Sequence, residues 1–365
     1  MRDIGGAGRI VIKIGTNLLS KNWAVDTAYL RGISAQIASL IKAGKKVLLV
    51  TSGAVGMGAG ELGIREKITS VRMRQACASI GQPLLMKEYK EAFARHGLIA
   101  AQILLTREVL NNRKTYLNLQ NSVETLLSLG VAPIFNENDS ISTAEIGNAF
   151  GDNDRLSALV ASKVGADLLI LLTDIGALYD ADPRVHPGAK PIALVPRVTQ
   201  EILACAGAAG STFSTGGMRT KVLAAQIAGR AGCRMVLADG REPDILARIL
   251  AGEEIGTLFL AQKKPASRER WILMSSPQGT ISVDEGAIEA MRKHKSLLPS
   301  GIHGVTGTFA AGDVVSVNDT AKIVTSLSSV EIKTLMGQHS SEIRKTLGES
   351  KRDVVARPED IVFLS

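Results

Sequence analysis

Six short apolar runs, each rich in β-branched or aliphatic residues and each set apart by a longer segment, constrain this chain more than any other feature. They are RIVIKI (9–14), KVLLV (46–50), IAAQILL (99–105), VAPIF (131–135), DLLILLT (167–173) and CRMVLA (233–238). Several are apolar at nearly every position, the pattern of strands covered on both faces rather than one. Between them lie amphipathic stretches at 26–44, 71–97, 115–130 and 153–165, each ending near a glycine, a common helix stop. Strand and helix in alternation predict an α/β fold, a mostly parallel sheet sandwiched by helices. Ligands of such sheets sit at the carboxyl ends of the strands.

The pattern changes after KKPASRERW (263–271). Short alternating strands such as TISV (280–283) and DVVSV (313–317), one helix at 284–294 and frequent glycines follow. This predicts a large domain over 1–262, a linker over 263–270 and a small β-rich domain over 271–365.

Composition narrows the classes. Aromatics are only 4% of the chain, so the core must be aliphatic. The three cysteines, Cys77, Cys205 and Cys233, form no CxxC or Cys/His cluster, which speaks against a disulfide framework or a zinc site and leaves no metal-ligand set. The chain runs almost at once into RIVIKIG, too short and strand-like for a signal peptide, and no apolar stretch nears ~20 residues. The expectation is a soluble, cytoplasmic protein without a membrane segment. Net charge is +8, and all of it lies in residues 1–265: residues 266–365 carry 12 basic and 12 acidic side chains. A nucleic-acid-binding tail would concentrate basic charge on itself.

The strand ends carry the chemistry. VIKIGT places Lys13 inside an apolar strand, just before Gly15 and Thr16. Such a lysine is either an edge residue reaching water or a cation aimed at a phosphate, and the glycine turn after it favours the second. GAGELG (58–63) formally matches GxGxxG, but that fingerprint starts at a strand end and here the strand stops near Val50, so a dinucleotide site is rejected. TSGAVG (51–56), directly at the strand end, fits either an ordinary turn or a loop whose N–H groups and Ser52 hydroxyl approach an anion. Asn136, Asn138, Asp139, Asp152, Asn153 and Asp154 crowd two neighbouring segments. Helix capping needs one of them; the rest suit an ammonium group, a metal held through substrate phosphates, or both. Thr173 and Asp174 end the fifth strand, where a nucleotide could lie or a plain polar loop could turn.

STGGMRTK (214–221) is not GxxxxGK[ST], yet its physics is similar. Gly216 and Gly217 free the backbone, a helix start presents N–H groups, and Lys221 adds a mobile cation. Two lysines, backbone donors and a few carboxylates are what phosphoryl transfer needs. None of the five histidines lies at these junctions, and no Ser/His/Asp motif appears, so hydrolase and zinc-enzyme readings are weak.

Taken in order, VIKIGT, VTSGAVGMG, NENDSISTAEI, GDNDRLSAL, LLTDIGALYDADPR and TGGMRTK resemble the glutamate 5-kinases of the amino acid kinase family over residues 9–221. The tail, with GTISVDEGAIEAM and SLLPSGIHGVTGTFAAGDVV, resembles a PUA domain. The resemblance implies ATP-dependent phosphorylation of the side-chain carboxylate of L-glutamate to γ-glutamyl phosphate, the first step of proline synthesis. It implies that Lys13 and Lys221 stabilise the transferring group and that Asp154 orients them. It implies that Ser52, Asp139 and Asn153 bind glutamate. For ATP it implies Thr173, Asp174 and the run Thr215, Gly216, Gly217, Met218, Arg219, Thr220 and Lys221, with Lys13 also at the nucleotide and Mg²⁺ arriving with it. Proline is implied as an inhibitor and a homo-oligomer, dimer or tetramer, as the assembly. TAEIGNAFGDND carries about two residues more than some bacterial members there, a change loops tolerate but one beside the glutamate pocket. The alternatives are another acid or nucleotide kinase of the same fold, such as an acetylglutamate kinase or aspartokinase, and an RNA-binding PUA protein.

Overall fold

The computed structural model describes residues 2–21, 23–66, 68–141, 153–183, 185–208, 217–339, 346 and 353–364. The chain divides into two compact units, Met1–Arg107 with Asn118–Lys264, and Glu108–Leu117 with Pro265–Ser365.

The first unit is built on β1 (Arg9–Ile14), flanked by β4 (Lys46–Val50) and β7 (Leu168–Thr173), with β5 (Ala100–Leu105), β6 (Ala132–Glu137), β8 (Leu194–Val195), β9 (Arg234–Asp239) and β10 (Thr257–Phe259) completing an eight-stranded sheet. A two-stranded ribbon, β2 (Ser20–Lys21) with β3 (Ala24–Val25), stands apart from it. The order is β5-β6-β4-β1-β7-β9-β10-β8. All pairings from β5 to β9 are parallel; β10 then runs antiparallel to β9. All six runs read from sequence are strands, within a residue or two at their ends. Every residue of β6 and β7 is buried, which is why those runs carry no polar alternation until their last positions.

From β1 the chain builds first toward β4, β6 and β5, then crosses back to lay β7 and β9 on the other side. The connections diverge at the carboxyl ends of β4, β1 and β7, and that crevice is where such sheets receive ligands. Four helices matter for the site. Ala54–Glu61 follows β4, Val71–Ala94 packs on it, Asn153–Val164 runs under the sheet, and Met218–Arg230 leads into β9.

The glycine density after β4 serves packing. A Cβ on Gly81 would lie 1.9 Å from the Ala54 carbonyl oxygen, and one on Gly58 would lie 1.9 Å from that of Cys77. The two helices therefore meet backbone to backbone. Gly58, the residue that opens the formal GxGxxG match, is held there by a neighbouring helix rather than by a pyrophosphate. Gly53 makes the turn between β4 and the first of these helices at φ 100°, a left-handed conformation that costs other residues energy.

The second unit has its own five-stranded sheet. β11 (Gly279–Val283), β12 (Ile302–Gly307), β13 (Val314–Val317), β14 (Ala321–Val324) and β15 (Ile361–Phe363) lie in the order β12-β11-β13-β14-β15. Its core is aliphatic, with Ile281, Val315, Val317, Ile323, Ile332 and Leu335 fully buried. Ser328 and Glu331 form a reciprocal capping box that starts the helix Ser329–Leu335. The unit also takes in Glu108–Leu117. Tyr116, 1% exposed, joins a cluster with Trp271, Ile272, Val314 and Val362, and the Arg113 guanidinium lies 5.0 Å from the Trp271 ring centroid. Among the described residues, no helix is long and apolar enough to cross a membrane.

Candidate active site

Lys13 is the fifth residue of β1, between Ile12 and Ile14. Its side chain is 6% exposed, so the ammonium must find its partner inside the protein. The partner is Asp154, fully buried in the first turn of the helix Asn153–Val164, with Oδ1 2.5 Å from Lys13 Nζ. Its other oxygen, Oδ2, accepts from Lys221 Nζ at 2.9 Å. Lys221 reaches it from the first turn of Met218–Arg230 and is equally buried. One carboxylate thus bridges two ammonium groups delivered by a strand and a helix more than 200 residues apart in sequence. The Thr220 hydroxyl donates to the Gly217 carbonyl at 2.7 Å and stands 3.4 Å from Asp154 Oδ2.

Around this ion triad lie the ends of three strands. At β4, Ser52 is buried, its hydroxyl 2.9 Å from that of Thr16 and donating to the Ile14 carbonyl at 3.2 Å. At β6, Asn136 and Asn153 form an amide chain: Asn153 Nδ2 donates to the Thr51 carbonyl at 2.5 Å and to Asn136 Oδ1 at 2.9 Å. Asn136 Nδ2 in turn donates to Gln82 Oε1 at 2.7 Å. Asp139 follows in the same loop; burial raises its pKa above the ordinary carboxylate value, and the charge of Arg74 pulls the other way. At β7, the Thr173 hydroxyl donates to Asp174 Oδ1 at 3.1 Å and Asn17 Nδ2 donates to Asp174 Oδ2 at 2.8 Å. Burial alone would raise the Asp174 pKa, but the hydrogen bonds from Asn17, its own backbone and Thr173, with the Arg241 charge, hold it below its usual value.

Gly217 begins the helix Met218–Arg230 in an extended conformation; Met218 is buried beneath it and Arg219 is exposed. The structure therefore brings together Lys13, Asp154 and Lys221, with Ser52, Asn153, Thr173 and Asp174 at adjacent strand ends. Thr215, Gly216 and Asp152, and the longer loop before Asn153, lie outside the described residues. Asn17 and Gln82 were not singled out from sequence, and Thr16 was named there only as the end of VIKIGT. Thr16 and Asn17 directly follow the VIKIG strand end and were within reach of that reasoning, whereas Gln82 sits in a helix with no motif around it. Among the described residues, no three His, Cys, Asp or Glu side chains are grouped to hold a metal ion.

Residues 8–239 match the model of the amino acid kinase family, and residues 279–347 match that of the PUA domain. A glutamate 5-kinase of Methanosarcina mazei is 45% identical over 376 aligned positions, covering 100% of this chain and 97% of its own. One from Methanococcoides burtonii is 46% identical, covering 98% and 97%. A solved UMP kinase of Bacillus anthracis aligns with a TM-score of 0.47 at 16% identity, covering 70% of this chain and 96% of its own.

Proposed function

The chain belongs to the amino acid kinase family, and on that premise we propose that it transfers the γ-phosphoryl group of ATP to the γ-carboxylate of L-glutamate, yielding γ-glutamyl phosphate and ADP for proline synthesis. The observation that carries this reading is the buried Lys13–Asp154–Lys221 triad at the switch point of the sheet.

The chemistry asks for little else. The acceptor carboxylate of glutamate, with an ordinary pKa near ~4.3, is already ionised at neutral pH, so no general base is required. One of its oxygens attacks the γ-phosphorus in line while the bond to the β–γ bridging oxygen breaks and ADP leaves with that electron pair. Negative charge spreads over the equatorial oxygens, and two cations held in a dry site stabilise it. Lysines suit the task because each is a point charge on a flexible stem that can follow the group as it moves. Asp154 keeps both ammonium groups in place without neutralising both.

The amide chain and Asp139 supply the acceptor site. Ser52 and Asn153 line the side where the γ-carboxylate lies, and Asp139 meets the substrate ammonium. Thr173, Asp174 and the residues from Thr215 to Lys221 hold the nucleotide. Mg²⁺ binds hard oxygen ligands and is commonly carried by substrate phosphates with one or two carboxylates, so the lone Asp174 fits it better than a dedicated cage would. When bound, the ion offsets charge on the β- and γ-phosphates. Proline competes at the glutamate side, where the 139–154 segment contributes. The active form is a homo-oligomer, and the cytoplasm suits an enzyme whose three cysteines are free.

The test is acyl phosphate formation trapped with hydroxylamine, using MgATP and, separately, L-glutamate, N-acetyl-L-glutamate and L-aspartate, each with and without proline. Product from glutamate alone, suppressed by proline, supports the whole reading. Product from another acid keeps the phosphate chemistry and overturns the acceptor assignment, and product insensitive to proline removes the inhibitor alone.

A further inference from the structure

The amide chain from Thr51 to Gln82 has only one consistent set of proton assignments. A backbone carbonyl can only accept, so the Asn153 atom 2.5 Å from the Thr51 oxygen is the nitrogen. That same nitrogen lies 2.9 Å from Asn136, whose facing atom must be oxygen. The opposite Asn136 atom is then nitrogen, and the Gln82 atom 2.7 Å from it must be oxygen. Polarity fixed at one strand end propagates along three amides. It leaves Gln82 Nε2 at the far end as a donor with no acceptor among the described residues. Turning the Gln82 amide over would bring two nitrogens into contact, so the donor cannot be hidden by a flip.

Gln82 is 8% exposed, and a buried donor left unpaired costs the fold stability. Its surroundings are the acceptor side of the site. Gly81, its neighbour, meets the Ala54 carbonyl just beyond the Gly53 turn. One and two turns earlier on the same helix, the Ser79 hydroxyl donates to Ser140 at 3.0 Å and the Arg74 charge acts on Asp139. This face of Val71–Ala94 therefore lines the loop Asn136–Ser140 along its length.

We propose that Gln82 Nε2 is a specificity-determining donor for the α-carboxylate of the acceptor amino acid. The proposal rests on glutamate being that acceptor. The other assignments are then complementary: the γ-carboxylate turns to the lysines, the α-ammonium to Asp139, and the α-carboxylate to the amide whose proton has no other use. A donor of this kind separates acids that carry an α-carboxylate from those that do not.

The experiment uses the full chain with Gln82→Glu and Gln82→Met, and three acceptors: L-glutamate, 4-aminobutyrate, which lacks the α-carboxylate, and glutamate α-amide (isoglutamine). Hydroxamate trapping gives kcat and KM for each. Wild type should prefer glutamate strongly over the other two. Gln82→Met, which keeps the volume but removes both the donor and the acceptor for Asn136 Nδ2, should lower kcat/KM for glutamate about 10- to 100-fold, chiefly through KM, with a clearly smaller loss for 4-aminobutyrate and the KM for ATP nearly unchanged. Gln82→Glu keeps the acceptor for Asn136 Nδ2 and presents an oxygen instead of N–H, so its preference should shift from glutamate toward isoglutamine. Equal losses for all three acceptors in both variants would overturn the proposal, because a packing defect cannot distinguish them. Absence of product from wild type with glutamate would instead refute the functional reading on which it rests.

Discussion

Replacing Asp154 with asparagine removes a charge that two buried lysines share while keeping the shape of the side chain. In the native site, Oδ1 is 2.5 Å from Lys13 Nζ and Oδ2 is 2.9 Å from Lys221 Nζ, and Asp154 itself has no exposed surface. An amide can accept from one lysine only; its NH₂ group faces the other. The ammonium groups then confront each other at roughly 5 Å without the Asp154 charge between them, which at an effective dielectric of ~20 costs about 3 kcal/mol. Breaking buried ion pairs by removing one partner destabilises by a similar ~3–5 kcal/mol. Asp154→Asn should therefore lower unfolding stability by about 3 kcal/mol or more, visible as a lower urea midpoint at an unchanged slope.

The phosphates of ATP bring the negative charge that the variant lacks, so a non-hydrolysable MgATP analogue should raise Tm more in Asp154→Asn than in wild type. Turnover in the hydroxamate assay should fall by roughly 10²–10³, the scale of removing a preorganised electrostatic contact, because the lysines lose their shared anchor. A variant as stable as wild type, with the same nucleotide-induced shift in Tm, would refute this account. It would mean that the lysines relax to water and that Asp154 holds no charge balance in the unliganded enzyme.

Two further outcomes follow from the same geometry. Asp139 must be ionised to meet an ammonium group, and burial raises its pKa, so as pH falls glutamate KM should begin to climb at a higher pH than an exposed aspartate would allow. For stability the sign is opposite, since a carboxyl with a raised native pKa favours the fold below that value and loses the contribution as pH rises through it; Asp139→Asn should flatten both profiles, and an unchanged KM profile would remove Asp139 from the site. Gly81→Ala would place a methyl 1.9 Å from the Ala54 carbonyl oxygen, a backbone clash that no rotamer relieves, so it should cost about 3 kcal/mol or more by urea denaturation. An unaltered midpoint would show that the two helices can part there.

How much of this was legible in the sequence depends on whether a residue breaks the pattern of its own element. β1, β4 and β7 declare themselves because burial on both faces leaves polar residues almost only at their ends, and against that background Lys13 is conspicuous. β8 and β10 went unread because two and three residues cannot show a period. Asp154 was visible only as one of six polar residues, any of which could cap a helix; its selection came from family resemblance, and its contacts with both lysines only from the fold. Gln82 offers no local signal, since a polar residue in an amphipathic helix reads as a solvated face. Tyr116 falls in the helix read over 115–130, yet Glu108–Leu117 belongs to the second unit, where the Arg113 guanidinium lies over both the Tyr116 and the Trp271 rings. Long-range partners are set by topology, and no window of sequence contains them.

The triad also explains why the site uses one carboxylate for two cations. With no carboxylate, Lys13 and Lys221 would repel and turn away from a dry interior. With two, the charge offered to a phosphoryl group would be cancelled before it arrived. Within the triad Asp154 balances one of the two positive charges, and it does so while fixing both ammonium positions through its two oxygens. The fold must tolerate that imbalance when no nucleotide is bound. A ligand that binds the folded site and not the unfolded chain stabilises it by mass action, and an anionic one also offsets the charge of the lysines. The conflict between stability and readiness is thus concentrated in three side chains, and the packing of the helices that carry Asp154 and Lys221 against each other holds it in place.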